Sequence, residues 1–223
     1  MLDPFPLYRE LPLKERLFVR ARMFSAPLEE VANRAPSGLL VDVGCGHGLL
    51  TALLAQGRPD RTVIGVDPDE RKISWAGRGP GALPNVELRL GGIEELSPQY
   101  DGKVDGITVA DVLYLLPVPR WPDFLHACRR LLKPGGVLLL KEAEDDGGWK
   151  ARKCLAQEVV MVKLIGKTKG SGGLALRPRS FTERLLREAG FAVRETVDLS
   201  KGYTTPHVLF VAEATTAATT TTP

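Results

Sequence analysis

The chain has 223 residues, a length that suits one α/β domain with some decoration, and its 43% apolar content is ordinary for a soluble protein. A net charge of +3 is too weak to argue for a nucleic-acid partner, and no run of about 18 apolar residues exists to span a bilayer. Three scattered cysteines, Cys45, Cys128 and Cys154, suggest neither a disulfide framework nor a zinc site, and the start MLDPFPLYRELPLKER lacks a secretory pattern, so a cytoplasmic location is expected.

In chain order, residues 1–34 read as a helical N-terminal extension, with Leu13, Leu17, Met23 and Phe24 as its apolar positions among charged ones. Leu39 to Val43 is a near-continuous apolar run, as a central parallel strand requires. A largely apolar helix follows over residues 48–56, then a second strand from Thr62 to Val66 that ends at Asp67. A short helix near residues 70–75 and a third strand, Val86 to Leu90, come next, and a fourth strand runs from Val104 to Ala110. Residues 121–132 form an amphipathic helix with Trp121, Leu125, Cys128 and Leu132 on one face; Pro134-Gly135-Gly136 stops it before a fifth strand, Val137 to Leu140.

After Glu142 the alternation breaks into an excursion over residues 143–178, with its own expected helix from Trp149 to Ile165. Ser180, with Glu183 three residues on, signals a capping box for a further helix that ends at Gly190. Two last strands are expected at residues 192–197 and 208–212, and residues 214–223 read as a low-complexity, disordered tail. Repeated β-α alternation implies a doubly wound parallel sheet whose ligands sit at the carboxyl ends of its strands.

The chemistry concentrates in VDVGCGHG, Val41 to Gly48. Gly44, Gly46 and Gly48 permit a tight turn that brings backbone close to a ligand, and the next helix starts there with free N–H groups. Asp67 lies 23 residues after Gly44, at the end of the second strand, where a carboxylate can accept from both hydroxyls of a ribose. The dinucleotide fingerprint G-x-G-x-x-G needs glycine at position 49; the chain has Leu49, which argues against a nicotinamide oxidoreductase.

VDVGCGHG resembles the first motif of the class I S-adenosylmethionine-dependent methyltransferases. VIGVDPD (63–69), VELRLGGIEEL (86–96), VDGITVADVLYLL (104–116) and LLKPGGVLLLKE (131–142) continue the resemblance in order. The nearest-looking group is the small-molecule branch named for ubiquinone and menaquinone biosynthesis. The resemblance implies a Rossmann-like, mostly parallel seven-stranded sheet with an antiparallel last strand. It implies S-adenosyl-L-methionine as cofactor, S-adenosyl-L-homocysteine as product, and a small-molecule or lipid-like acceptor.

It also implies residue roles. Asp42 and the backbone of Gly44, Cys45 and Gly46 hold the methionine end of the cofactor, and Asp67 takes the ribose hydroxyls. Pro68, Gly92 and Ile93 border the adenine, with Gly92 standing where family members often carry an adenine-binding Asp. Asp111 lies near the methionine amino group.

Other positions keep two readings. His47 either touches the cofactor carboxylate and acts as a base, or faces solvent in a variable loop position. Glu142 is either a proton acceptor at the end of strand five or part of a charged loop. Tyr114 lines the acceptor pocket or packs in the next helix, and Trp149 is a second acceptor-side residue. His126 is expected to be solvated. His207, at the start of the last strand, is expected far from the cofactor edge. The segment 157–165 is a lid over the pocket or a membrane-surface helix. The acceptor pocket is expected between the N-terminal extension and the excursion. A nucleic-acid methyltransferase and a non-catalytic cofactor-binding module are the rival functions. The sequence leaves the oligomeric state open.

Overall fold

A computed structural model describes residues 3–145, 147, 148 and 175–215. Seven strands form one sheet in the order β3-β2-β1-β4-β5-β7-β6. They are β1 (Gly38–Val43), β2 (Arg61–Asp67), β3 (Val86–Leu90), β4 (Val104–Ala110), β5 (Leu132–Ala143), β6 (Phe191–Asp198) and β7 (His207–Ala214). The first five run parallel, and β7 is antiparallel to both β5 and β6. The doubly wound α/β fold implied by the sequence is the fold observed.

Side-chain alternation divides the sheet between two cores. Val41, Ile107, Leu138, Leu140 and Phe210 face one layer, which holds α5 (Trp121–Leu131) and α6 (Arg179–Glu188). Leu40, Leu139 and Leu209 face the other, which holds α1 (Leu13–Ser25), α2 (Leu28–Arg34), α3 (Leu49–Gly57) and, through Trp75, α4 (Glu70–Gly77). Both faces are therefore covered, and this explains why β1 reads as a near-continuous apolar run. The topological switch falls between β1 and β4, so the loop after β1 opens at the crevice where such sheets bind ligands.

The N-terminal extension is helical as expected, but of its four apolar positions read from sequence only Met23 packs against the core, and it docks mainly through other residues. Val19 of α1 is buried, together with Tyr8 and Leu11 from the turn before it, against Leu49, Leu50 and Leu53 of α3. Leu13, Leu17 and Phe24, read from sequence as its apolar positions, are 67%, 55% and 75% exposed. The reason is that α1 lies on the rest of the chain along a narrow line containing Val19, and polar ties supply the other attachments.

Two local expectations need correction. α6 has Pro178 as N-cap with no side-chain cap bond, so Ser180 lies within the helix, and Glu183 instead accepts from the Thr196 hydroxyl at 2.9 Å. α5 already ends at Leu131, because Leu132 turns extended and begins β5; Gly135 (φ 77°) lies within the register shift of that strand against β4. The expected helix from Trp149, residue Cys154, the 157–165 segment and all but Ala214 and Thr215 of the expected tail lie outside the described residues. Ala214 belongs to β7.

Candidate active site

The glycine loop follows directly from β1. Gly44, Gly46 and Gly48 all take positive φ (69°, 57° and 75°), a region open to glycine at little cost. The N–H groups of Gly44 and Cys45 donate to the Val66 carbonyl at 2.8 and 3.0 Å, which folds the loop over the end of β2. Asp67 completes the junction: its carboxylate accepts from the Gly46 N–H and the Asp69 N–H, both at 2.9 Å. The turn and the distant acid thus meet at one point of the sheet edge.

The three glycines differ in their surroundings. A Cβ on Gly44 would lie 2.4 Å from Val112, whereas one on Gly46 would have only Lys72 within reach, at 3.9 Å. Gly44 is therefore required by the protein's own packing. Gly46 faces open space, the opening a ligand held by backbone needs.

Beneath the loop, the buried Asp42 carboxylate accepts from the hydroxyls of Thr51 (2.6 Å) and Thr108 (2.9 Å). Burial, partly offset by those hydrogen bonds, pushes its pKa up to about 6. The Cys45 thiol turns inward against Gly65, and burial raises its pKa, so only its backbone borders the loop. Pro68 is exposed just beyond Asp67. The Gly92 N–H donates to the Glu95 carboxylate, while the Ile93 side chain belongs to the core.

His47 is not solvent-facing. Its ring stacks on Trp75 with centroids 5.1 Å apart, lies 5.0 Å from the Phe18 ring, and Nε2 is 3.0 Å from the Glu15 carboxylate. Burial lowers its pKa despite Glu15. His47 therefore fastens α1 over the glycine loop.

A second polar cluster occupies the ends of β4 and β5. Asp111 takes φ 61°, unusual for a non-glycine residue, and its carboxylate meets Lys141 Nζ at 2.6 and 2.7 Å and Arg22 of α1. Burial alone would raise that carboxyl, but Lys141 and then Arg22 outweigh it and hold it well below the usual range. The Asp111 carboxylate, expected beside the methionine amino group, is thus engaged with two cations of the protein.

Glu142 points inward and accepts from the backbone N–H groups of Val112, Leu113 and Tyr114 at 3.2, 2.9 and 3.2 Å. Burial, then the Asp111 charge, push its pKa up to about 8. It closes the turn after β4 and is neither part of a charged loop nor a free base. Tyr114 is half-buried in that turn and lines a small cleft with Trp121, Arg177 and Phe210. Trp149 lies outside the described residues.

His207 corrects the sequence reading most directly. β7 runs antiparallel, so its first residue pairs with Ala143 at the carboxyl edge of β5. His207 is buried there, with Nε2 3.2 Å from the Ser25 carbonyl. Arg22, Lys141 and His207 were all missed from sequence. Only Lys141 left a signal: a lysine inside the apolar run VLLLKE is out of place on a strand buried on both faces. His126 is exposed, as expected.

Among the described residues no group of histidine, cysteine and acidic side chains is placed to hold a metal ion, and no helix is long and apolar enough to cross a membrane. A family model described as a methyltransferase domain matches residues 40–136. The chain is similar to a ubiquinone biosynthesis O-methyltransferase of Xanthomonas oryzae pv. oryzae, 35% identical over 122 residues, which cover 55% of this chain and 48% of that one. The chain spans less than half the length of such curated relatives.

Among solved structures, a methyltransferase of Haloferax volcanii in complex with its activator superposes with TM-score 0.72 at 17% identity, covering 97% of this chain and 100% of that one. The 1,6-didemethyltoxoflavin-N1-methyltransferase of Burkholderia thailandensis, solved with its substrate and S-adenosylhomocysteine, gives TM-score 0.68 at 16% identity, covering 91% and 83%. The loop of three positive-φ glycines and the acid of the second strand both lie within residues 40–136, the stretch that matches the methyltransferase domain, and the seven-stranded sheet is the fold shared with these solved structures.

Proposed function

We propose that this protein transfers the methyl group of S-adenosylmethionine to a small-molecule or lipid-like acceptor. The observation that carries the reading is the Gly46–Asp67 junction: a backbone turn open on its outer side, joined by hydrogen bond to a carboxylate at the next strand end. Bound there, the cofactor supplies a methyl group on a sulfonium, which is already activated for in-line displacement and leaves S-adenosylhomocysteine. The residues of the chain bind and orient. Asp67 accepts the ribose hydroxyls, Pro68 and the backbone of Gly92 and Ile93 border the adenine, and Asp42, through Thr51 and Thr108, holds the loop in register.

Neither Glu142 nor His47 is free to act as general base, since each is buried and already hydrogen-bonded. That favours an acceptor that arrives nucleophilic, such as an acidic hydroxyl or a stabilised carbanion. α1, tied down by Glu15–His47 and Arg22–Asp111, closes the site from above and excludes water.

Calorimetry with S-adenosylhomocysteine tests the reading. Asp67→Ala leaves ribose hydroxyls unpaired, a loss of about 1–3 kcal/mol, so affinity falls about tenfold or more. Unchanged affinity in a folded variant refutes the assignment.

A further inference from the structure

Three elements bring charge to one place on the carboxyl edge of the sheet: α1 with Arg22, the β4 end with Asp111, and β5 with Lys141. Two cations share one carboxylate. Glu142, the other acid in contact range, holds its proton near neutral pH, because burial and Asp111 raise its pKa to about 8. Burial pushes the Lys141 ammonium down while Asp111 pushes it up, so the Arg22 guanidinium is the firmest positive charge in a place where water is scarce.

Two polar groups in this cluster are unspent. Arg22 uses one terminal nitrogen on Asp111, and its other N–H groups have no partner among the described residues; its side chain is 30% exposed. His207 Nδ1 is buried and has no hydrogen-bond partner among the described residues, while its Nε2 faces the Ser25 carbonyl three residues along α1 from Arg22. Tyr203 stands edge-on to the imidazole, 5.3 Å away between ring centroids. A buried ring nitrogen without a partner is costly and asks for a polar group on the ligand.

The arrangement is built rather than incidental. Asp111 sits in the left-handed region at φ 61°, a position a non-glycine residue keeps only when its surroundings over-determine it. Lys141, fully buried, grips both carboxylate oxygens and so turns Asp111 toward Arg22. Asp111 and Lys141 thus hold the Arg22 guanidinium in place.

We propose that Arg22 and His207, set in place by Asp111 and Lys141, form an anion subsite, so that the methyl acceptor carries a carboxylate or an equally acidic group beside the atom that is methylated. The inference rests on the methyltransferase reading and narrows its acceptor. An anionic group there takes the spare guanidinium N–H groups in charge-assisted hydrogen bonds. The His207 ring donates Nε2–H to the Ser25 carbonyl, so Nδ1 accepts the proton that an acidic group brings, and the resulting imidazolium donates Nδ1–H back to that group.

The test uses the full chain saturated with S-adenosylhomocysteine, titrated by calorimetry with two probes of the same shape, protocatechuate (3,4-dihydroxybenzoate) and 3,4-dihydroxybenzamide. The carboxylate is expected to bind about tenfold or more tightly than the amide, and the advantage is expected to shrink severalfold in Arg22→Gln and in His207→Phe. If Arg22→Gln does not fold, His207→Phe decides. Equal affinities overturn the proposal, as does an advantage that survives both variants, or the absence of carboxylate binding at about 10 mM. Binding of S-adenosylhomocysteine, measured in the same samples, separates the two levels: its loss defeats the methyltransferase reading, and its retention without carboxylate preference defeats the subsite alone.

Discussion

Three buried ionisable groups mark the site at the level of single residues, and their protons have opposite consequences. Glu142, with pKa pushed to about 8 against an ordinary 4.5, keeps in the folded chain a proton that the unfolded chain releases. Unfolding then releases protons between those values, so the contribution of Glu142 to stability falls as pH rises through that window. Asp42, raised to about 6, acts in the same direction over a lower range. His207, pushed down to about 4 by burial and then Lys141, acts oppositely: its contribution is present above its ordinary value of 6.5 and is lost as pH falls toward 4.

Above pH 6.5 Glu142 dominates. The wild-type unfolding free energy from urea titrations is expected to decline from about pH 6.5 to about pH 8, by at most about 1.4 kcal/mol per pH unit, and that of Glu142→Gln is expected to decline less. Parallel slopes would remove Glu142 from the account. Tyr8 gives a second residue-level prediction. Its hydroxyl is buried without a partner among the described residues. Tyr8→Phe is therefore expected to leave stability unchanged or raise it by about 1 kcal/mol, whereas Tyr8→Ala costs about 3–5 kcal/mol by emptying its place against α3. Chemical denaturation distinguishes these from a Tyr8 hydroxyl that supports the fold, for which Tyr8→Phe loses stability.

Among the elements, the glycine loop and α1 decide most. Gly44 and Gly46 look equivalent in sequence, and the structure separates them. Alanine at either pays about 1–2 kcal/mol for positive φ, but at Gly44 it also collides with Val112. Gly44→Ala is expected to lower the melting temperature more than Gly46→Ala. Gly46→Ala is expected to stay folded and lose S-adenosylhomocysteine binding in calorimetry. A folded Gly46→Ala that binds normally would show that the loop does not approach the ligand. α1 has a double role for a comparable reason. Its Val19, with Tyr8 and Leu11 before it, completes the core over α3, while Glu15 and Arg22 reach the loop and the strand ends. Removing residues 1–24 would uncover Leu49, Leu50 and Leu53, so the extension belongs to the domain's core as well as to its site.

At the scale of the whole molecule, the sheet order places every element of the site on one edge, with β1 and β4 adjacent at the centre. Much of this was legible in the chain. Central strands buried on both faces must be largely apolar, so β1 declared itself, and VDVGCGHG with Asp67 declared the loop and its partner acid. These signals are local: each depends on backbone conformation or on periodicity within a few residues, and neighbours in sequence carry them.

The polar cluster was not legible, since its members come from positions 22, 111, 141, 142 and 207, and nothing in their local patterns links them. His207 shows the cause most plainly: its place at the ligand edge follows from the reversed direction of β7, a matter of strand pairing 64 positions away at Ala143. The sequence by itself determined the alternation of strands and helices, the glycine turn and the acid that meets it. Only the tertiary structure decided which charges are buried together, that Glu142 closes a turn, and that the N-terminal helix is both core and cover, because burial and charge pairing depend on contacts between distant segments.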